Sequence, residues 1–197
     1  MPVTYIKEIL RGTFVADGST ALLQKRINLK HGHRHELIGV EMFDDQGAMY
    51  LTNQGISTGL QGIEVLVTPF PVILTDNGWG IGAGQTFSNM GAFAGDDNVL
   101  FKHLSISNAH IDDETTNTGS NSWITQTFPD YTGEYESSIW YSDSIYLTAI
   151  RYGAISDTPC SLSFNLKVKD TKCNKIEWSM GQHQEFLNAQ CRTLSRT

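Results

Sequence analysis

The chain has 197 residues, a mass of 21.9 kDa and a formal net charge of −7, with 40% hydrophobic and 18% charged residues. That length suits one all-β domain or at most two small ones, and the composition is too apolar for a disordered chain and too weakly charged for a coiled coil. No window approaches ~18 uninterrupted apolar residues, which excludes a membrane-spanning helix, and Met1–Tyr5 has no basic start leading into an apolar run, so no signal peptide is expected.

In chain order, Val3, Ile6, Ile9 and Leu10 have helical spacing and predict a short helix at the start. Strands are predicted at Leu22–Lys30, His35–Phe43, Ala48–Thr52, Ile63–Thr68, Val99–Ser107 and Trp123–Phe128. Pro69 and Pro71 bracket Phe70, so that segment leaves a sheet or runs along an edge, and Val72-Ile73-Leu74 is a candidate for renewed pairing. Ser144–Tyr152 is β-branched and aromatic, and Ile139-Trp140-Tyr141 reads as the same strand or its bulged start. Ser161–Lys169 alternates most clearly, with Leu162, Phe164, Leu166 and Val168 on one face. Asp170–Asn174 then reads as a hairpin turn before a strand with Ile176, Trp178 and Met180 inward. Leu187, Cys191 and Leu194 have the spacing of a short terminal helix.

Turn-forming residues fill 44–47, 53–62, 76–84 and 112–121. No strand is followed by a convincing crossover helix, which favours antiparallel pairing. Eight to ten strands in one domain spanning 1–197, with at most short terminal helices, indicate an antiparallel β-sandwich of jelly-roll type or a barrel.

Charge is uneven along the chain. Residues 1–35 hold six bases and two acids, residues 36–150 fifteen acids and the single base Lys102, and residues 151–197 seven bases and four acids. Distant segments of an all-β domain share faces, so the two basic ends could lie together opposite an acidic middle. No run of basic residues occurs, which argues against a nucleic-acid patch and for bases scattered over strand faces. The three cysteines, Cys160, Cys173 and Cys191, form no C-x-x-C and are odd in number, so they read as free thiols of a cytoplasmically synthesised chain.

Few motifs carry chemistry. His31, His33 and His35 alternate and could project together towards one metal ion. His33-x-His35 resembles the opening of the cupin metal motif, but Glu41 lies roughly 20 Å further along an unbroken strand. His103 and His110 are the only candidate late ligands, and a solvent-facing strand end is the plainer explanation. Gly55–Gly59 matches G-x-S-x-G without the strand-then-helix setting that elbow requires. Gly78–Gly84 is glycine-rich but not G-x-G-x-x-G, and leaves Trp79 as a contact residue or a plug under its own loop. Asp44-Asp45, Asp96-Asp97 and Asp112-Asp113-Glu114 lack calcium-loop spacing. Trp123, Tyr131, Tyr135, Trp140 and Tyr141 are core or interface aromatics first and a sugar platform second.

The run Lys25–Lys30 leading into Glu36–Phe43, with long strands over 144–152 and 161–169, resembles viral single jelly-roll coat proteins. The resemblance implies a shell-forming subunit of a virion with no catalytic residues and no cofactor. Its partners would be copies of itself and other virion proteins, with a host glycan as a further candidate. The chain lacks the long Arg-rich arm of many RNA-virus coats, which puts direct genome binding in doubt. The many Ser, Thr and Asn residues and the scarcity of Lys and Glu on strands independently suit neutral contact surfaces. The expected function is therefore a capsid, penton or surface subunit that acts by self-assembly, with Trp79, Trp140 and Tyr141 as contact residues. The alternatives are a cupin-like enzyme using His31, His33 and His35, and a carbohydrate-binding module.

Overall fold

The computed structural model describes residues 3–15, 22–45, 59–72, 99–109, 121–128, 138–152 and 157–194. Its strands are β1 (Val3–Phe14), β2 (Leu22–Asn28), β3 (His33–Asp44), β4 (Gly59–Thr68), β5 (Phe101–Ala109), β6 (Asn121–Phe128), β7 (Ser138–Trp140), β8 (Ser144–Tyr152) and β9 (Thr158–Lys172). One helix, α1 (Lys175–Leu194), closes the described chain, and no described helix is long and apolar enough to cross a membrane.

The strands form two antiparallel sheets, ordered β1-β9-β3-β7 and β2-β8-β4-β5-β6. The pairing is nested: β1 pairs with β9, β2 with β8, β3 with β7 and β4 with β5. β6 extends the β5 edge.

Alternation explains the packing of the first sheet. Leu162, Phe164, Leu166 and Val168 of β9 point inward, as do Leu10 and Phe14 of β1 and Leu37 of β3. They meet Ile145, Leu147 and Ala149 of β8 and Ile63, Val65 and Val67 of β4 in one core. The second sheet is buried on its other face as well, where Leu66, Ile150 and Val99 form a separate cluster with Leu22 and Val72 against it. Burial on both faces is why Ile63–Val67 reads as an apolar run rather than an alternation. Glu64, fully buried on that outer face, faces Lys102 Nζ at 3.0 Å, so the one base of the acidic middle neutralises a buried acid.

Five expectations change. The stretch 59–62, expected within a turn, opens β4 and pairs with β5. Residues 3–14 form an edge strand, because twelve register partners on β9 outweigh a helical spacing of apolar residues. Ile139 and Trp140 belong to β7 of the first sheet, not to β8 of the second. The residues expected to turn, Asp170–Asn174, instead carry β9 on to Lys172. Lys175–Met180 is helical, in a helix of 20 residues rather than a short terminal one. Asn174 Oδ1 accepts the Glu177 amide at 2.9 Å, an N-cap with an acid three residues on, and Ile176 and Met180 are spaced for a helix as well as for a strand. Residues 48–52, 73–74, 76–84 and 112–120 lie outside the described residues, as do Gly55–Thr58.

Truncating a side chain where the two sheets meet removes buried apolar surface and leaves a cavity. Leu147→Ala is expected to lower unfolding free energy by about 2–5 kcal/mol in a urea titration, and Ile176→Ala, at 73% exposure, by less than about 0.5 kcal/mol.

Candidate functional site

The histidines gather at one end of the sandwich, around the turn from β2 to β3. Gly32 has φ +71°, a left-handed conformation that glycine adopts without penalty, and its carbonyl accepts the Cys173 amide at 3.1 Å. This ties the turn to the end of β9. The Leu29 amide donates to the Asp143 carbonyl at 2.8 Å and ties it to the start of β8.

The three imidazoles do not converge. His31 sits in the turn, with Nδ1 2.7 Å from Asp143 Oδ2 and its ring edge-on to Trp178 of α1 at 4.4 Å between centroids. His33 and His35 do share the inward face of β3, with rings stacked 6.3 Å apart. His35 is 0% exposed and packs against Trp140 at 5.6 Å. Its Nδ1 lies 2.8 Å from Asp170 Oδ1. The other carboxylate oxygen of Asp170 accepts the Thr4 hydroxyl at 3.0 Å and faces Lys30 Nζ at 3.3 Å.

Glu41 cannot join the histidines. The register of β3 against β9 shifts between Leu37 and Gly39. This bulge at Ile38 reverses the alternation, so His35 and Leu37 point inward while Glu41 and Phe43 point outward. Glu41 pairs with Lys167 at 2.8 Å on the solvent face. Among the described residues no group of three or more His, Cys, Asp or Glu is arranged to hold a metal ion. His110 lies outside them, and His103 is half-buried in β5 with its pKa lowered by burial.

The electrostatics of the cluster follow from desolvation. Burial lowers the His35 pKa, against the raising effect of Asp170, so the ring is neutral. Burial alone would raise the Asp170 carboxyl. Hydrogen bonds from His35 and Thr4 and the Lys30 contact together hold it below the ordinary carboxylate value. With Asp170 ionised, His35 Nδ1 carries the proton and donates it. His33 Nδ1, His35 Nε2 and Trp140 Nε1 are buried without a hydrogen-bond partner. A histidine oriented by a carboxylate is the arrangement of a general base, but a ring with no exposed surface reaches no substrate proton in this conformation. The network acts as a polar plug that fixes β1, β3 and β9 to the β2–β3 turn.

Beside this plug, α1 docks on Tyr141. Gly181 is the point of closest approach, where any side chain would collide with the Tyr141 ring. Gln182 Nε2 donates to the Tyr141 carbonyl at 3.4 Å, and Glu185 Oε1 accepts the Tyr141 amide. Burial pushes the Glu185 pKa up to about 7, although the amides of Tyr141 and Ser142 favour its charged form.

Of the expected contact residues, Trp140 is a core residue at 1% exposure and Tyr141 is half-covered by α1, so neither is a free contact surface. Trp79, Tyr131 and Tyr135 lie outside the described residues. Cys160 is a buried free thiol with its pKa raised to about 12 by burial, and Cys173 is a free thiol too. Sequence reasoning missed Asp170, Asp143, Trp178 and Glu185. Asp170 had a signal, since it continues the inward phase of Leu166 and Val168. No protein-family model matches the chain, and no curated protein matches it significantly.

Two pH effects of opposite sign follow. His35 and His103 have lowered pKa values in the fold, so their contribution to stability is complete above 6.5 and is lost as pH falls below it. Asp170 adds a further loss below its model-compound value of 3.8. Chemical denaturation is expected to show stability falling from pH 6.5 downward, and Asp170→Ala to cost about 1–3 kcal/mol at pH 7.5. Glu185 has a raised pKa, so its contribution is greatest below 4.5 and is lost as pH rises to about 7. Amide protection at Tyr141 and Ser142, corrected for intrinsic exchange, is expected to fall between pH 5 and 8, and Glu185→Gln to flatten that dependence.

Proposed function

We propose that this chain is a structural subunit of a virion, a coat, penton or surface subunit, which acts by self-association and not by chemical turnover. Part of the same proposal is that the sandwich is a jelly roll. With β6 set aside, eight strands pair first with last, second with next-to-last and so on inward, which is the order two interlocked Greek keys produce. This nested order is the observation that carries the reading, because shell-forming subunits use that architecture. Lectins and cupins use it as well, so surface chemistry has to discriminate among them.

Two features favour assembly. The strongest candidate for a catalytic group, His35, is sealed beneath Trp140 with its carboxylate partner. The outer face of the first sheet, in contrast, exposes Val3, Tyr5, Ile9, Phe43 and Ile139. Exposed apolar side chains grouped on one face mark interaction surfaces.

Electron microscopy of the purified protein tests the proposal. Rings, pentamers, hexamers or closed shells are expected. A uniform field of 21.9-kDa monomers at high concentration would contradict it.

A further inference from the structure

We infer that the outer face of the first sheet binds the same face of a second copy, about a two-fold axis running along β9. This deepens the self-association reading and rests on it, by naming the surface that associates.

The cross-strand rows carry the argument. One row across β1, β9 and β3 is Lys7–Asn165–Glu41, and the next is Ile9–Ser163–Phe43. On one side of these, Tyr5 and Lys167 share a row with Gly39. On the other, Arg11 is opposite Ser161, whose carbonyl accepts the Asp45 amide at 2.9 Å. In three of these rows the β1 residue and the residue on or just past β3 are unlike and complementary, and in the fourth both are apolar. Lys7 and Arg11 are basic where Glu41 and Asp45 are acidic, Ile9 is apolar like Phe43, and Tyr5 is large where Gly39 has no side chain.

A two-fold axis along β9, in the plane between two facing copies, carries β1 of one copy over β3 of the other and leaves each row at its own level. Lys7 then faces Glu41 of the second copy and Arg11 faces its Asp45. Ile9 meets Phe43, and Tyr5 lies over Gly39 and the Lys167 stem. Every contact occurs twice, as an isologous pair demands. The same axis sets Lys167 and Lys169 of β9 over their own copies, where each is already paired within its own chain, with Glu41 at 2.8 Å and Glu36 at 2.9 Å. An axis that crosses the strands would instead set β1 on β1 and the row ends Lys7 and Arg11, which have no ion pair among the described residues, on one another.

The surface between these ridges is a groove of about 620 Å³ floored by Ser163 and Asn165 and walled by Ile9 and Phe43. Phe43 is 60% exposed, a large aromatic that a monomer leaves in water. Closing two such grooves together buries four apolar walls. Facing sheets pack ~10 Å apart at about −30°, so the central rows, those of Lys7 and Ile9, keep the best register. Three strands ~4.8 Å apart over some ten residues present about 500 Å² of projected face per copy, near the ~1,000 Å² total that specific interfaces clear. A pair held by this face alone therefore dissociates on dilution, on the order of micromolar concentrations.

Sedimentation equilibrium across a dilution series tests this with exposed residues whose replacement leaves the core untouched. Phe43→Glu, Lys7→Glu and Glu41→Lys are each expected to weaken the pair by roughly tenfold or more. Mixing the Lys7→Glu chain with the Glu41→Lys chain restores opposite charges in both contacts of the mixed pair, so association is expected to return to within about threefold of the original. Association that persists in all three variants, or that is lost only with Ile176→Glu on α1, would overturn the surface while leaving self-association intact. A chain that is monomeric before any substitution would overturn both.

Discussion

The antiparallel pairing of β9 with both β1 and β3 is the constraint on which the rest depends. β9 has fifteen residues, and its inward side chains Cys160, Leu162, Phe164, Leu166 and Val168 enter the core while its outward ones floor the exposed face. It joins the start of the chain to its end, so β1 is placed only once β9 is formed. The pairs β2–β8 and β4–β5 complete the opposite layer, and the core between the layers forms only when both ends of the chain have returned. Contacts of such sequence separation carry a large loop-closure cost before burial rewards them, which makes folding slow.

One register irregularity then divides the two surfaces of β3. Before the bulge at Ile38, His33, His35 and Leu37 face the interior; after it, Glu41 and Phe43 face solvent. The same strand thereby closes the sandwich with a polar plug at one end and offers an acid and an aromatic to the outside at the other. Without the shift, Glu41 would share the inward face with the histidines, and Phe43 would lie in the core. The bulge therefore separates a sealed pair, neutral His35 and ionised Asp170, from an outward surface suited to contact.

Much of this was legible in the sequence. Period-two alternation identified β9, and apolar, β-branched runs identified β2, β3, β4, β5, β6 and β8 to within a few residues; β4 and β8, buried on both faces, gave the most apolar of them. The failures have physical causes. Residues 3–14 carry apolar side chains on a sheet face that is solvent-exposed in the single chain, and this blurs their alternation into a helical spacing. Ile176 and Met180 satisfy both periods, and the Asn174 cap that decides between them lies before the run. The bulge leaves no mark in composition, so the facing of Glu41 was out of reach. Glu185 and Asp143 act through tertiary contacts to Tyr141 and His31, which local spacing does not encode.

Self-association is the claim on which the functional account stands, and the mass of the particle in solution tests it most directly. Native mass spectrometry over a hundredfold dilution is expected to give multiples of 21.9 kDa whose smallest member above the single chain is a pair. A mass of one chain at every concentration would contradict the account.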